Sequence, residues 1–340
     1  MDLRTRTPLT AGLAALACSA GLIGCGGGSA TSPTSTGSTA GSSGFPFTYT
    51  DCGGTAQTIT APAKRVVAME IDASDLVRTT GFGDRLIAIG AVAKPADVPP
   101  GVAHIGKFNS YPSKDEVLAQ RPDLVVSPYG SALGPKGAFP QSQLNKLGIR
   151  SYYSLSGCGP TGIVHDLNVV TRDVNTLGRI FGRPDLTNAV VARFNRQLAA
   201  AAPRAAGRRP TVWVYEGTKD PASYGGNLVP NAVIWLAGGR NVFEDTRDYN
   251  TVSTEAVLKR DPDIIWVMPD AGFGGISDGP GAGGRIEKKL ETDPVLSQLT
   301  AVRKHRFAVV PFSTGAVANL KNPQAVAVIA AEVRKVRAGG

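Results

Sequence analysis

The chain carries one pattern of apolar and polar positions twice. Ser113–Ser127 (SKDEVLAQRPDLVVS) aligns without gaps on Ser253–Val267 (STEAVLKRDPDIIWV). In each copy a short helix with a polar cap is predicted to bury its Val and Leu, Pro-Asp ends the helix, and an unbroken apolar strand follows. Unbroken hydrophobicity is typical of a parallel strand that is covered on both faces. The pattern therefore predicts two related helix–strand units.

The segments around the repeat follow the same alternation. Apolar strands are predicted at Arg65–Met69 and at Thr211–Tyr215, and each precedes a helical stretch and a Gly-containing turn, at Gly81–Gly83 and at Gly238-Gly239. Strands that alternate with helices of this length indicate βα units and a parallel sheet. The predicted fold class is α/β, with two lobes that each hold a mainly parallel sheet flanked by helices. We expect a cleft between the lobes.

One long interlobe helix is predicted over residues 163–182. Its apolar positions are three and four residues apart and form a single stripe, made of Ile163, Leu167, Val170, Val174, Leu177, Ile180 and Phe181. This interpretation places the N-terminal lobe at residues 47–162 and the C-terminal lobe at residues 183–338. Because such a connection is stiff, the cleft should open little. The alternative is an ordinary crossover helix within one domain.

The first 24 residues are typical of an export signal peptide. Arg4 and Arg6 precede an apolar run, Ala11–Ile23, that is too short to span a bilayer. The following Cys25 completes a sequence, Leu-Ile-Gly-Cys, that resembles a bacterial lipobox, and it is the predicted lipid anchor. A plain signal peptide with an incidental cysteine is the alternative. Residues 25–46 are rich in Gly, Ser and Thr and are predicted to form a flexible tether, so we expect a lipid-anchored protein on the extracytoplasmic face of the cell membrane.

Charge and cysteine content narrow the possible partners. The net charge is +9, but Lys and Arg are scattered without basic runs or interleaved aromatics, so no nucleic-acid partner is expected. Besides the anchor, the exported chain would keep Cys52 and Cys158. Outside the cytosol an isolated pair is more often a disulfide than a metal site or a nucleophile. A disulfide between Cys52 and Cys158 is therefore predicted.

Sequence signals for catalysis, metal binding and nucleotide binding are weak. His104, His165 and His305 are the three histidines and form no ligand cluster with acids, so no metal site and no cofactor are predicted. The Gly279–Gly284 stretch matches dinucleotide glycine spacing by letter, but it follows a strand only after a long loop. The chain lacks a Gly-x-Ser-x-Gly elbow and a Walker loop. An enzyme is not expected, and envelope hydrolysis stays as an alternative of a different class.

Several short motifs, in order along the chain, carry a resemblance to a known family. They are Thr50-Asp51-Cys52, Pro62–Val67, Tyr111-Pro112-Ser113, Ser154–Cys158 (SLSGC), Asn231–Ile234 with Gly238-Gly239, and Pro311-Phe312-Ser313. From about Phe47 to Val336 the chain resembles the periplasmic binding proteins of ABC importers for ferric siderophores and cobalamin, in particular lipoprotein members from actinobacteria. The resemblance implies two α/β lobes bridged by one long helix. It also implies a monomer that hands a small ligand to an ABC permease dimer in the same membrane.

The same resemblance implies one acid on each lobe that docks onto arginines of the permease. In the family these acids lie in the helix just before Pro-Asp, and the matching positions are Asp115 and Glu255. Asp115 stands where the family pattern has Glu, so Glu116 is a further candidate for this role. The repeat would present the acids as a symmetric pair to a symmetric permease dimer. Acids in the first turn of a helix also complement its dipole, so plain capping is the alternative.

Candidate ligand-cleft residues follow the predicted strands, because ligands of open parallel sheets bind beyond the carboxyl ends of the strands. Those in the N-terminal lobe are Glu70, Asp72, Ser74, Tyr129, Ser131 and Ser156. Those in the C-terminal lobe are Tyr215, Glu216, Tyr224, Asn227, Arg247, Tyr249, Phe312 and Ser313. Aromatic rings and hydroxyl groups suit a bulky polar chelate. Arg247 is the best candidate to bind a carboxylate or another anion of the ligand.

The ligand that we expect first is a ferric-siderophore-type chelate, because the resembling lipoproteins are mostly of that kind. Cobalamin and haem are the alternatives. An alternative function of a different class is ligand binding by the same fold without transport. It would be an envelope lipoprotein that scavenges or senses its ligand, or a structural partner in the envelope.

Overall fold

The computed structural model describes residues 44–203, 207–269 and 281–339. The predicted signal peptide, the predicted anchor Cys25 and residues 25–43 of the predicted tether lie outside the described residues, as do Gly279 and Pro280 of the glycine-rich stretch. Within the described ranges, no helix combines the length and the hydropathy that a membrane span requires.

The N-terminal lobe is built on a parallel sheet. Its strands are β1 (Phe47–Thr50), β2 (Ala56–Ile59), β3 (Val66–Glu70), β4 (Leu86–Ala91), β5 (Ala103–His104), β6 (Leu124–Ser127) and β7 (Arg150–Tyr153). β1 and β2 form an antiparallel hairpin, and the other strands form a parallel sheet of order β5-β4-β3-β6-β7. The helices of this lobe are α1 (Ile71–Val77), α2 (Lys114–Ala119), α3 (Gly130–Leu133) and α4 (Gln141–Lys146).

Two helices of the described chain, rather than one, join the lobes: α5 (Asn168–Ile180) and α6 (Pro184–Ala201). The prediction of a single helix over residues 163–182 is therefore wrong in its bounds. Residues 163–167 are not helical, and α5 begins at Asn168, whose N–H donates to Oδ1 of Asp166 at 2.9 Å. The N–H of Val164 donates to the carbonyl of Gly226 at 2.8 Å, which ties the segment before α5 to the C-terminal lobe. Ile163 fits the apolar stripe by spacing alone, since 55% of it is exposed. The lobe boundaries at residues 47–162 and 183–338 stay a prediction.

Both joining helices contact both lobes. Val170 and Val174 of α5 are buried in the apolar core of the C-terminal lobe, whereas Leu177 and Ile180 are buried in the core of the N-terminal lobe. α6 contacts the N-terminal lobe at residues 78–82 and buries Phe194 in the C-terminal core. The connection is thus a pair of packed helices, which is stiffer than a single one.

The C-terminal lobe repeats the architecture of the first. Its strands are β8 (Thr211–Tyr215), β9 (Ala222–Tyr224), β10 (Arg240–Asn241), β11 (Tyr249–Thr251), β12 (Ile264–Val267) and β13 (Phe307–Val309). A parallel sheet has the order β10-β8-β12-β13, and β9 pairs antiparallel with β11. The helices are α7 (Val229–Leu236), α8 (Thr254–Arg260), α9 (Ala282–Thr292), α10 (Thr300–Arg303), α11 (Phe312–Gly315) and α12 (Asn322–Ala338). The predicted class, α/β with two lobes of mainly parallel sheet flanked by helices, is confirmed.

The two copies of the sequence repeat occupy equivalent places. Ser113 caps α2 by accepting from the N–H of Glu116 at 3.3 Å, and Ser253 caps α8 by accepting from the N–H of Ala256 at 3.1 Å. Every residue of the strands that follow, β6 and β12, is buried, as the unbroken apolar pattern predicts.

Candidate ligand cleft

A cavity of about 870 Å³ lies between the two lobes. Its walls come from the N-terminal lobe, from the C-terminal lobe and from residues 160–180, which include α5 and are called the joining segment. Apolar side chains form most of these walls. The apolar lining includes Leu155, Val164, Val169, Leu228, Val229, Phe312, Ala316 and Val317. A volume of this size is within the range of sites that bury a small organic ligand.

Five of the predicted cleft residues line this cavity. They are Tyr129, Ser156, Tyr224, Asn227 and Phe312. Most of them follow the carboxyl end of a parallel strand, since Tyr129 comes after β6, Ser156 after β7 and Phe312 after β13. This is the edge where open parallel sheets bind ligands. Contact of these residues with a ligand stays a prediction.

A half-buried and a buried carboxylate, Asp72 and Glu70, support the N-terminal wall around Tyr129. The hydroxyl of Tyr129 donates to Oδ2 of Asp72 at 2.6 Å, and the hydroxyl of Ser127 donates to Oε2 of Glu70 at 2.9 Å. Burial raises the pKa of Asp72 above its usual value and raises the pKa of Glu70 well above it. Neither carboxyl is part of the cavity lining. Asp72 holds the hydroxyl of Tyr129 directly, and Glu70 holds Ser127, whose Oγ accepts from the N–H of Tyr129 at 3.0 Å.

A second carboxylate–tyrosine cluster supports the opposite wall. Glu216, only 4% exposed, accepts hydrogen bonds from the hydroxyls of Tyr224 and Tyr249, the latter at 2.7 Å. Burial raises the pKa of both phenols, so both are neutral donors at physiological pH. The ring centroids of Tyr224 and Tyr249 are 5.2 Å apart in an edge-on arrangement. The cluster therefore fixes the Tyr224 ring at the cavity.

The remaining predicted cleft residues do not line the cavity. Ser74 and Tyr215 are fully buried in their lobes, and Ser131 and Ser313 are exposed outside it. Arg247 donates to the backbone carbonyls of Thr161 and Pro160, so its guanidinium holds the joining segment. A position after a strand end therefore does not show whether a side chain faces the cavity, is buried inside a lobe or lies outside the cavity.

The joining segment contributes cavity residues that strand-end reasoning misses. Asp166, Asn168 and Arg172 line the cavity, with Asn168, Val169 and Arg172 on one face of α5. The sequence does contain a signal for these cavity residues, because they are polar positions beside the apolar stripe of the predicted joining helix. Asp248, which also lines the cavity, accepts from the amide of Asn227 at 2.7 Å.

The two cysteines predicted to form a disulfide lie next to each other. Both are free thiols in the structure, and Cys158 is part of the cavity lining. The hydrogen bond between the thiols raises the pKa of Cys52 and lowers the pKa of Cys158. The N–H of Cys52 donates to the carbonyl of Tyr153 at 2.9 Å, which fixes the N-terminal segment beside β7. The disulfide itself stays a prediction.

The predicted docking acids lie at the starts of α2 and α8. Asp115 and Glu255 are both exposed and occupy the same position after their capping serines. Glu116 accepts from the N–H of Ser113 at 2.7 Å, and this bond holds the pKa of Glu116 below its usual value. Asp115 is the positional equivalent of Glu255, since each lies two residues after its capping serine, and docking by any of these acids stays a prediction.

Comparisons with known proteins identify the family to which this fold belongs. Residues 66–314 match the periplasmic binding protein family. The vitamin B12-binding protein of Yersinia pestis (strain Pestoides F) is 27% identical over 207 residues, which are 60% of this chain and 69% of that protein. A solved ABC-type Fe3+-hydroxamate transport system from Saccharomonospora viridis has a TM-score of 0.68 at 23% identity, and the match covers 85% of this chain and 99% of that one.

A periplasmic haem-binding protein from Roseiflexus sp. RS-1 has a TM-score of 0.62 at 20% identity, covering 81% of this chain and 99% of that one. At these identities the solved structures show a shared fold. The family match spans most of the chain, from β3 to α11. The chain therefore belongs to the periplasmic binding protein family and is a solute-binding protein rather than an enzyme.

Proposed function

We propose that this protein binds a ferric-siderophore-type chelate outside the cytoplasm and delivers it to an ABC importer. The cavity of about 870 Å³ between the lobes is the observation that supports this proposal most strongly. Its walls combine apolar side chains with two tyrosine rings held by carboxylates, which suits a bulky ligand with polar edges. The names of similar proteins, which mention Fe3+-hydroxamate, haem and vitamin B12, support a ligand of this size class.

Haem is a second candidate ligand. The predominance of aliphatic side chains in the lining favours it, because a porphyrin presents broad apolar faces. Cobalamin is a third candidate ligand, and a binding test must include it together with a ferric chelate and haem.

A binding panel tests the proposal directly. We expect a ferric chelate to bind most tightly in calorimetric titrations, with tryptophan fluorescence as a second readout. Tighter binding of haem or cobalamin would instead assign one of these ligands. Trp235 is a suitable reporter, because its ring stacks on His165 of the joining segment with centroids 3.7 Å apart. Phe312→Ala should weaken binding, whereas Phe108→Ala, at an exposed ring that is not part of the cavity lining, should not. Folded protein that binds none of the panel would overturn the proposal.

Delivery to a permease is the second part of the proposal. It is supported by the matched exposure of Asp115 and Glu255 at the starts of repeated helices. Reversal of both charges, Asp115→Lys with Glu255→Lys, should reduce ligand uptake by about tenfold or more while ligand binding persists. Asp84→Lys with Asp220→Lys is a matched control, because these acids are also exposed, one on each lobe. Equal uptake by the two double variants would favour the alternative of a binder without transport.

The proposed membrane attachment depends on Cys25. Diacylation of this thiol would retain the protein at the membrane, and residues 26–46 would separate the lobes from the bilayer. We expect Cys25→Ser to release the protein from the membrane fraction, whereas Cys18→Ser, within the predicted signal peptide, should leave it attached. Membrane retention of Cys25→Ser would contradict the lipid anchor.

A further inference from the structure

The cavity lining contains three charged side chains: Asp166, Arg172 and Asp248. Both carboxylates already accept hydrogen bonds inside the protein. Oδ1 of Asp166 accepts from the N–H of Asn168 at 2.9 Å, and Oδ1 of Asp248 accepts from the amide of Asn227 at 2.7 Å. Across the described ranges, the guanidinium of Arg172 takes part in no hydrogen bond and no ion pair. The cavity therefore offers one cationic group whose five donors are unused.

The helix position from which Arg172 extends is fixed by the residue that follows it. Asp173 is 1% exposed, and its carboxylate accepts from the N–H of Leu155 at 2.7 Å and from the hydroxyl of Tyr152 at 2.5 Å. These bonds fix the middle of α5 against the wall that Leu155 and Ser156 form, with a further bond from the N–H of Ser156 at 3.2 Å. Arg172 thus extends from a rigid helix whose position relative to the cavity is fixed.

Arg172 is exposed to solvent in the cavity, and a ligand that fills the cavity would cover it. Val169 lies on the same face of α5, and the neighbouring lining is largely apolar. A guanidinium binds carboxylates and other oxyanions through paired hydrogen bonds, and such bonds are stronger where water is partly excluded. A ligand without an anionic group would cover this cation without pairing it, and that carries a desolvation cost.

We propose that Arg172 sets the charge preference of the cleft, and that the ligand has a largely apolar body with at least one carboxylate or other oxyanion. This inference rests on the proposed binding function and narrows its ligand class. It replaces Arg247, whose guanidinium is engaged by the joining segment, as the residue that pairs with an anion of the ligand.

Calorimetric titrations with charged and neutral ligands test this inference. The probes are a ferric carboxylate chelate, ferric citrate, together with haem for the anionic class, and a neutral ferric trihydroxamate and cyanocobalamin for the other. We expect Arg172→Ala to raise the Kd of the anionic ligand that wild type binds by roughly ten- to a hundredfold. The affinity of wild type for that ligand should fall with added salt, and the variant should lose this dependence. Arg172→Lys should recover part of the affinity, because it restores the charge without the paired donors.

Control variants separate a local effect from misfolding. Arg196→Ala removes an exposed arginine from α6 that does not line the cavity, and its Kd should match wild type. Arg172→Gln removes the charge but keeps a polar side chain on α5, and it should reproduce the loss if Arg172→Ala is poorly folded. If wild type prefers the neutral ligands, or if both Arg172 variants bind the anionic ligand as wild type does, the assignment of Arg172 is overturned while the binding function stands. Wild type that binds no probe overturns both.

Discussion

The ammonium nitrogen of Lys321 lies 2.6 Å from Oδ2 of Asp75, and this ion pair joins the C-terminal lobe to the N-terminal lobe. Asp75 belongs to α1, and Lys321 directly precedes α12. The pair supplements α5 and α6, so the separation of the lobes depends on two packed helices and on a polar contact between the lobes themselves. A cleft held in this way should change its width by small amounts.

The strength of the Lys321–Asp75 pair can be measured by a double-mutant cycle. Both side chains are partly exposed, at 37% and 26%, so solvent screens their attraction. We expect a coupling free energy of about 0.2–1 kcal/mol between Lys321→Ala and Asp75→Ala in urea unfolding, decreasing with added salt. Additive effects of the two substitutions at low salt would contradict a direct contact.

The contact between α5 and α6 makes Gly178 sensitive to substitution. A Cβ at Gly178 would lie 1.9 Å from Oγ1 of Thr187, so Gly178→Ala should lower the free energy of unfolding by about 1–3 kcal/mol through overpacking. Gly284 of α9 is the matched control, because a Cβ there meets no atom within 4 Å. Gly284→Ala should be neutral or stabilise by up to about 1 kcal/mol in the same measurement. Equal effects at both glycines would show that close helix packing is not the cause.

Asp173 should make stability depend on pH. Burial raises the pKa of Asp173 to about 6, from 3.8. Because the pKa is higher in the folded state, the folded protein binds more protons than the unfolded chain between these values. The stability contributed by this group is therefore full below about pH 4 and is lost as the pH rises through about 6, a difference of about 3 kcal/mol.

Urea unfolding at several pH values between 4 and 7 would isolate this contribution. Asp173→Asn cannot titrate, so its free energy of unfolding should depend less steeply on pH than that of wild type. Asp185→Asn is the control, because Asp185 is exposed and its pKa is lowered by Arg183, outside this pH window. Parallel curves for wild type and Asp173→Asn would contradict the assigned titration.

The repeat was the most reliable guide to the fold because it combines burial with a specific hydrogen bond. In both lobes the aspartate of Pro-Asp accepts from the backbone at the entry to the neighbouring strand. Asp123 accepts from the N–H of Arg65 at 2.9 Å, and Asp263 accepts from the N–H of Thr211 at 2.7 Å. Apolar pattern and local capping agree at these positions, so the sequence predicts strands and lobes correctly.

The joining segment and the cleft are harder to predict, for a physical reason. Ile163 continues the helical spacing, but the helix begins only at Asn168, and the non-helical segment before it is hydrogen-bonded to the C-terminal lobe through the N–H of Val164. Such tertiary hydrogen bonds leave no periodic signal. In the same way, Arg172 and Arg247 are both polar residues near the lobe interface, and only the packing decides that Arg172 lines the cavity and Arg247 binds backbone carbonyls.

Oxidation of Cys52 and Cys158 should stabilise the protein. A disulfide between them would close a loop of about one hundred residues, for which loop entropy corresponds to roughly 4–5 kcal/mol in the unfolded chain. We expect protein exported from cells to resist alkylation at both thiols, and to melt at a lower temperature after reduction. Cys52→Ser and Cys158→Ser should each melt like the reduced protein and respond to reductant no further. Because Cys158 lines the cavity, the oxidised form should also hold that wall more rigidly. Rapid alkylation of both thiols in exported protein would contradict the disulfide and leave the pair as adjacent free thiols.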